Sequence, residues 1–105
     1  MSDLPQFDRS RHPDAARAFA REVLSRGDNT FLRDLIVYDD GHFRAVFDPA
    51  YFILPADQAE PSKSQWNTLK KRFKRLDRRV FVFKVHGRDA DGHGLYWLDF
   101  GFFKA

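Results

Sequence analysis

The sequence contains no cysteine, which excludes disulfide bonds and metal sites built on thiolates. It has no apolar run near the roughly 18 residues that span a bilayer, so we expect no association with a membrane. The first residues lack a basic stretch followed by an apolar one, so we expect no signal peptide and a cytoplasmic protein. Glutamate is also scarce, with two Glu against thirteen Asp, and Arg outnumbers Lys twelve to six. This bias is compatible with a GC-rich bacterial genome.

The 105 residues of the chain fit one domain. A hydrophobic content of 43% and a charged content of 31% are typical of a globular protein. Twelve phenylalanines supply large apolar area for one core. We expect residues 1–11, which are polar, to be a flexible N-terminal segment and residues 12–105 to form a single domain.

The first predicted helix covers residues 13–26. Pro13 suits the first helical position, and Asp14 suits the positive end of the helix dipole. Apolar residues recur at helical spacing and form one stripe: Ala16, Phe19, Ala20, Val23 and Leu24. Gly27 is typical of a residue that ends a helix.

A β-hairpin is predicted next. Residues 32–38 are rich in β-branched and aromatic side chains, residues 39–41 (Asp-Asp-Gly) are typical of a tight turn, and residues 42–47 alternate between apolar and polar. Residues 51–54 are a candidate for a further short strand. Residues 55–61 form a linker.

Ser62 and Gln65 form a capping box, which predicts a second helix over residues 62–78. Its apolar stripe falls within about 80° of the helix circumference and consists of Trp66, Leu69, Phe73 and Leu76. Two strongly apolar segments, residues 80–86 and 95–103, predict two more strands. The order α-β-β-(β)-α-β-β predicts an α+β domain in which an antiparallel sheet packs against two helices.

Nearly half of the positive charge lies in and just after this second helix. Residues 63–79 contain eight of the 18 Lys and Arg residues and a single acid, Asp77, which gives them a net charge of +7. The remainder of the chain carries −4. Cations spaced at i, i+4, such as Lys70 and Lys74, repel each other by a few tenths of a kcal/mol, so their accumulation suggests a use.

A helix with this charge attracts polyanions, and nucleic acid is the commonest polyanion in a cell. We therefore predict a small nucleic-acid-binding protein, with DNA preferred to RNA, that contacts phosphates without sequence discrimination. The predicted contact residues are Lys63, Asn67, Lys70, Lys71, Lys74, Arg75, Arg78 and Arg79. No helix-turn-helix spacing, zinc-finger cysteine pair or RNA-recognition strand motif accompanies them.

Two other interpretations of the basic helix remain open. It could dock an acidic protein partner, which would make the chain a protein-interaction or regulatory module. It could also be a solvated face that the protein's own acidic residues neutralise. Charge alone does not separate these interpretations from nucleic-acid binding.

The loop between the last two strands offers a third function. His86, Asp89, Asp91 and His93 could bind a divalent metal and cut a phosphodiester, as in a metal-dependent nuclease. However, the pattern Asp-x-Asp-Gly is also common in turns that bind no metal. We favour the turn, so we assign no catalytic residue, metal ligand or cofactor, and we favour a protein that is not an enzyme.

The final predicted strand is apolar on both faces. Leu95, Trp97 and Phe103 point one way, and Tyr96, Leu98, Phe100 and Phe102 point the other. Two helices cover only one face of a sheet well, so we predict a homodimer whose interface contains Trp97, Phe100 and Phe102. The alternative is that the N-terminal segment, with Leu4 and Phe7, folds over the second face.

Overall fold

The computed structural model of the protein describes residues 7–86 and 94–104, apart from the side chains at positions 85 and 86. Its helices are α1 (Pro13–Val23) and α2 (Lys63–Leu76). Its strands are β1 (Ser25–Arg26), β2 (Asn29–Thr30), β3 (Leu32–Val37), β4 (Phe43–Phe47), β5 (Val80–His86) and β6 (Tyr96–Phe102). The predicted α+β class, with an antiparallel sheet and two helices, is confirmed.

The main sheet has four antiparallel strands in the order β3-β4-β6-β5. β3 and β4 form the predicted hairpin, in which Leu35 lies opposite Ala45. β6 lies between β4 and β5, so that Leu98 is opposite Ala45. The register of β5 against β6 shifts between Val82 and Lys84, which marks a β-bulge. Because β6 has a strand on each side, six of its seven residues are buried.

Both helices pack on one face of this sheet. The ring of Phe19 in α1 lies 5.6 Å from that of Phe73 in α2 and 6.1 Å from that of Phe100 in β6. The helices and strands both contribute to the buried core, which includes Ala16, Ala20, Val23, Leu69, Phe73, Phe43, Ala45, Phe47, Leu98, Phe100 and Phe102. The sheet and the helices thus form two layers around one hydrophobic core.

α1 ends at Val23, three residues before the predicted end. The residues that follow form β1, which pairs with β2 in a small hairpin that was not predicted. Gly27 has a φ of 60° and lies in the turn of this hairpin. Its left-handed conformation, which favours glycine, therefore serves the hairpin turn and does not end the helix.

The short strand suggested for residues 51–54 is absent from the structure. The Asp48 side chain accepts a hydrogen bond of 2.9 Å from the backbone N–H two residues on, and Pro49 opens one turn of 3₁₀-helix over Pro49–Tyr51. The aspartate and the fixed φ of the proline favour this turn over an extended strand. Tyr51 and Phe52 are consequently buried in the core.

The predicted capping box opens α2. The Ser62 hydroxyl accepts a hydrogen bond of 3.2 Å from the Gln65 N–H, and Gln65 Oε1 accepts one of 2.7 Å from the Ser62 N–H. The helix ends at Leu76, two residues before the predicted end, because Asp77 is extended, with φ −148° and ψ 116°. Leu76 is 47% exposed, so the apolar stripe that reaches the core is shorter than predicted.

We call the sheet face away from the helices the outer face. Its side chains include those of Tyr38, His42, Arg44, Phe81, Phe83, Trp97 and Asp99. Phe7 covers one end of it: Phe7 is 5% exposed and bridges to Phe103. A Cβ on Gly101 would lie 2.1 Å from the Phe7 ring, so glycine allows this close approach. Phe7 thus provides part of the cover that the alternative to a homodimer assigned to the N-terminal segment, whereas Leu4 lies outside the described residues.

An ion pair occupies the centre of the outer face. Arg44 Nε donates to Asp99 Oδ1 at 2.7 Å and Arg44 Nη2 donates to Asp99 Oδ2 at 3.1 Å. The guanidinium also lies 3.8 Å from the centre of the Trp97 ring. β6 is therefore not wholly apolar on this face, because Asp99 is buried there beside its arginine partner.

Candidate nucleic-acid interface

Five of the six cations of α2 lie on the part of the helix turned away from the core. Leu69 and Phe73 take the buried side, and the helical period leaves the remaining arc to polar residues. We call the following set the basic surface of α2: Lys63, Lys70, Lys71, Lys74 and Arg75. Lys70 is half-buried and the other four are exposed.

The acidic residues that the structure describes do not neutralise the basic surface of α2. Within the described part of the chain, no carboxylate lies within ion-pair distance of any of its five residues. The pairs Lys70 with Lys74 and Lys71 with Arg75 are spaced at i, i+4, so they repel each other. A polyanion laid along the helix would relieve this repulsion.

Asn67 belongs to the same surface. It is exposed and lies four residues from both Lys63 and Lys71, which places it on the same side of the helix. Its amide can donate to and accept from a bound polymer. The structure thus brings together six of the eight predicted contact residues.

Arg78 and Arg79 follow the end of α2 and do not extend the helix. The Asp77 carboxylate accepts a 2.9 Å hydrogen bond from the Arg79 N–H, and it lies 3.5 Å from the guanidiniums of both Arg79 and Arg11. Burial alone would raise the pKa of Asp77, but these hydrogen bonds and charges hold it below its ordinary value. Asp77 therefore partly neutralises Arg79, whereas Arg78 is exposed and has no carboxylate partner among the described residues.

Arg72, which was not among the predicted contact residues, turns toward the protein. Its Nη1 donates to Tyr51 Oη at 2.8 Å and its Nη2 donates to the Ser25 carbonyl at 3.4 Å. The sequence holds a signal for this placement, because Arg72 lies three residues after the buried Leu69, at the edge of the apolar stripe. A long side chain at such an edge can cover apolar surface with its stem.

The three residues predicted for a dimer interface do not share a surface. Phe100 and Phe102 are 0% and 1% exposed and lie in the core beneath the helices. Neither has accessible surface for contact with a second copy, because the alternation of side chains along β6 places both on the face that α1 and α2 cover. Trp97 lies on the outer face beside Arg44.

The suggested metal site falls on a part of the chain that is not described. Asp89, Asp91 and His93 lie outside the described residues, as does the side chain of His86. Elsewhere, residues 7–86 and 94–104 contain no cluster of three or more His, Asp or Glu side chains that could hold a metal ion.

In the part of the chain that the structure describes, neither helix has the length and apolar character to cross a membrane. Comparisons with protein families, with curated proteins and with solved structures find no match to this chain.

Proposed function

We propose that this protein binds nucleic acid, with DNA as the preferred polymer, through the basic surface of α2. The observation that carries the proposal is the exposed run of cations on one helix without a carboxylate partner in the described residues. The proposal includes the cytoplasmic location and the homodimer expected from the sequence. A dimer would bring two basic helices to one duplex and raise its avidity.

The chemistry of this surface favours phosphate contact over base recognition. Lysine is a compact, mobile charge that attracts phosphate without fixing its orientation, and four of the five surface cations are lysines. Binding by such contacts depends on the release of counterions and carries little sequence information. We therefore expect dissociation constants on the order of 1–100 µM near physiological salt.

The first experiment measures fluorescence anisotropy with labelled DNA and RNA duplexes of mixed sequence over a range of salt concentrations. If the five cations contact five phosphates of DNA, the logarithm of the association constant should fall against the logarithm of salt with a slope of about −4 to −5. Absence of binding to both polymers at low salt would reject the proposal.

A pair of matched variants locates the binding surface. Lys71→Gln with Arg75→Gln removes two exposed cations at i, i+4 from α2, and Arg17→Gln with Arg21→Gln removes two exposed cations at i, i+4 from α1. The α2 variant should make the salt slope shallower by about 2, and the α1 variant should leave it unchanged. Equal losses in the two variants would mean that net charge, and not the surface of α2, determines binding.

A further inference from the structure

A pocket of about 180 Å³ opens beside α2, and its lining includes cations but no acidic residue. Arg26 in β1 and Tyr51 in the 3₁₀ turn line one side, with Ile53 in the segment that follows. Gln65, Thr68 and Arg72 line the α2 side. Both arginines therefore face a small space that offers them no carboxylate.

Both arginines lie against the ring of Tyr51. The guanidinium carbon of Arg26 lies 4.6 Å from the centre of this ring, and that of Arg72 lies 5.7 Å from it. Arg72 is fixed further by its hydrogen bonds to Tyr51 Oη and to the Ser25 carbonyl. The two positive charges repel each other, and an anion bound between or beside them would offset this repulsion.

Hydrogen-bonding capacity remains at both arginines. Each guanidinium has five N–H donors, and Arg72 uses two of its nitrogens for protein acceptors. Arg26 donates no side-chain hydrogen bond to any described residue. Planar guanidiniums bind phosphate through paired N–H donors, which a lysine cannot reproduce.

The pocket adjoins the basic surface of α2 at Arg72. Arg72 also lines a second depression together with Arg75, which belongs to that surface, and with Glu22 and Leu76. A strand that follows Lys71 and Arg75 would therefore run beside the pocket. Ile53, 76% exposed, lies at the edge of its mouth.

We propose that this pocket binds one phosphate group of the strand held along α2, with Arg26 and Arg72 as its donors. The inference rests on the proposed function. The volume of the pocket is below the roughly 300 Å³ of pockets that enclose whole drug-sized ligands, so we expect it to hold the phosphate group. The sugar would then lie at the mouth, where Ile53 offers apolar contact.

Two arginine sites are compared to test this pocket. Arg26→Lys keeps the positive charge but removes the planar guanidinium with its paired N–H donors, and Arg26→Gln removes both the charge and the guanidinium. Arg17→Lys and Arg17→Gln are the matched controls on α1, since Arg17 is also exposed. We expect both Arg26 variants to weaken binding of the DNA duplex about tenfold, with Arg17→Lys unchanged and Arg17→Gln within twofold.

A second measurement needs no variant. Inorganic phosphate, titrated into the ¹⁵N-labelled protein, should shift the side-chain Nε–Hε signals of Arg26 and Arg72 saturably and leave that of Arg17 in place.

If the duplex binds but Arg26→Lys matches the wild type, the pocket inference is overturned and the proposed function stands. If the duplex does not bind at low salt, both fall. Absence of saturable phosphate shifts at Arg26 and Arg72 also overturns the pocket.

Discussion

Asp99 is the buried acidic residue of β6, with 3% of its surface exposed. Its two oxygens receive the paired donors of Arg44, and this hydrogen-bonded carboxylate raises the pKa of the Arg44 guanidinium above its usual value. Arg44 is in turn held between rings, 3.8 Å from the centre of Trp97 and 5.3 Å from that of Tyr38. Burying the charged Asp99 carboxylate costs free energy, and the ion pair with Arg44 offsets this cost only while both partners are present.

Asp99→Asn should therefore lower the free energy of unfolding by about 2 kcal/mol, because it leaves Arg44, whose side chain is 27% exposed, without its counter-ion. Asp57→Asn is the control, since Asp57 is exposed and has no ion pair within the described residues. Urea denaturation at neutral pH measures both variants. A change at Asp99 no larger than about 0.5 kcal/mol, as for ordinary surface substitutions, would contradict the assigned role of the pair.

At the scale of elements, Asp48 connects the end of β4 to both β3 and the 3₁₀ turn. It accepts a hydrogen bond of 2.7 Å from Arg33 of β3 and one of 2.9 Å from the Ala50 N–H. The hydrogen bond from Arg33 and then that from Ala50 lower the pKa of Asp48 below its ordinary value of 3.8. A carboxyl whose pKa is lower in the folded state stabilises the fold above its unfolded pKa, and this contribution disappears as the pH falls through the folded pKa.

Asp48→Asn should keep the cap of the 3₁₀ turn, since Asn caps as well as Asp, but lose the charge that Arg33 binds. We expect it to cost about 0.5 kcal/mol at neutral pH, as for partly exposed ion pairs. The difference from the wild type should shrink once the pH is well below 3.8. Urea denaturation at both pH values checks this.

The same substitution in an Arg33→Gln background isolates the pair. There Asp48→Asn should have a smaller effect at neutral pH, because the partner has already been removed. An equal cost of Asp48→Asn at neutral and acid pH, or in both backgrounds, would contradict the prediction.

At the scale of the whole molecule, the two faces of the sheet differ in cover and charge. The helices bury one face and carry the basic surface of α2. The outer face has Phe7 over one end, while Phe81 and Phe83 are each 36% exposed and their rings lie 6.0 Å apart. This exposed aromatic pair is a candidate for an interaction surface, although it is smaller than the apolar patches that mark such surfaces in most proteins.

If the protein is a homodimer, this outer face is the surface we expect it to use. Light scattering should then give about twice the chain mass of 12.4 kDa. Phe83→Glu should yield a folded monomer, because it places a charge in the interface but not in the core. Ile53→Glu, an exposed apolar position beside α2, is the control and should leave the mass unchanged.

Phe102→Glu gives a different expectation at this scale. Phe102 is 1% exposed in the core, so this change should unfold the chain and not simply separate a dimer. A wild-type mass of 12.4 kDa at high concentration would reject the homodimer, and a dimer that survives Phe83→Glu would place the interface elsewhere.

Local sequence patterns predict most of the larger elements and the concentration of charge. The hairpin of β3 and β4, the capping box at Ser62 and the two final strands follow from turn residues and side-chain periods, which act over a few neighbouring positions. The net charge of +7 over residues 63–79 follows from composition alone. The ends of α1 and α2 were less predictable, because the competing β1–β2 hairpin and the extended Asp77 depend on what packs around them.

Contacts between residues far apart in the chain could not be predicted from these local patterns. Arg44 and Asp99 are 55 positions apart and pair because β4 and β6 are neighbours with Arg44 opposite Asp99. Arg26 and Arg72 share the Tyr51 ring because the small hairpin packs beside α2. Phe100 and Phe102 face the helices because α1 and α2 pack on their side of the sheet. Local patterns set the period of a strand, but its neighbours and covered face depend on packing between segments far apart in the chain.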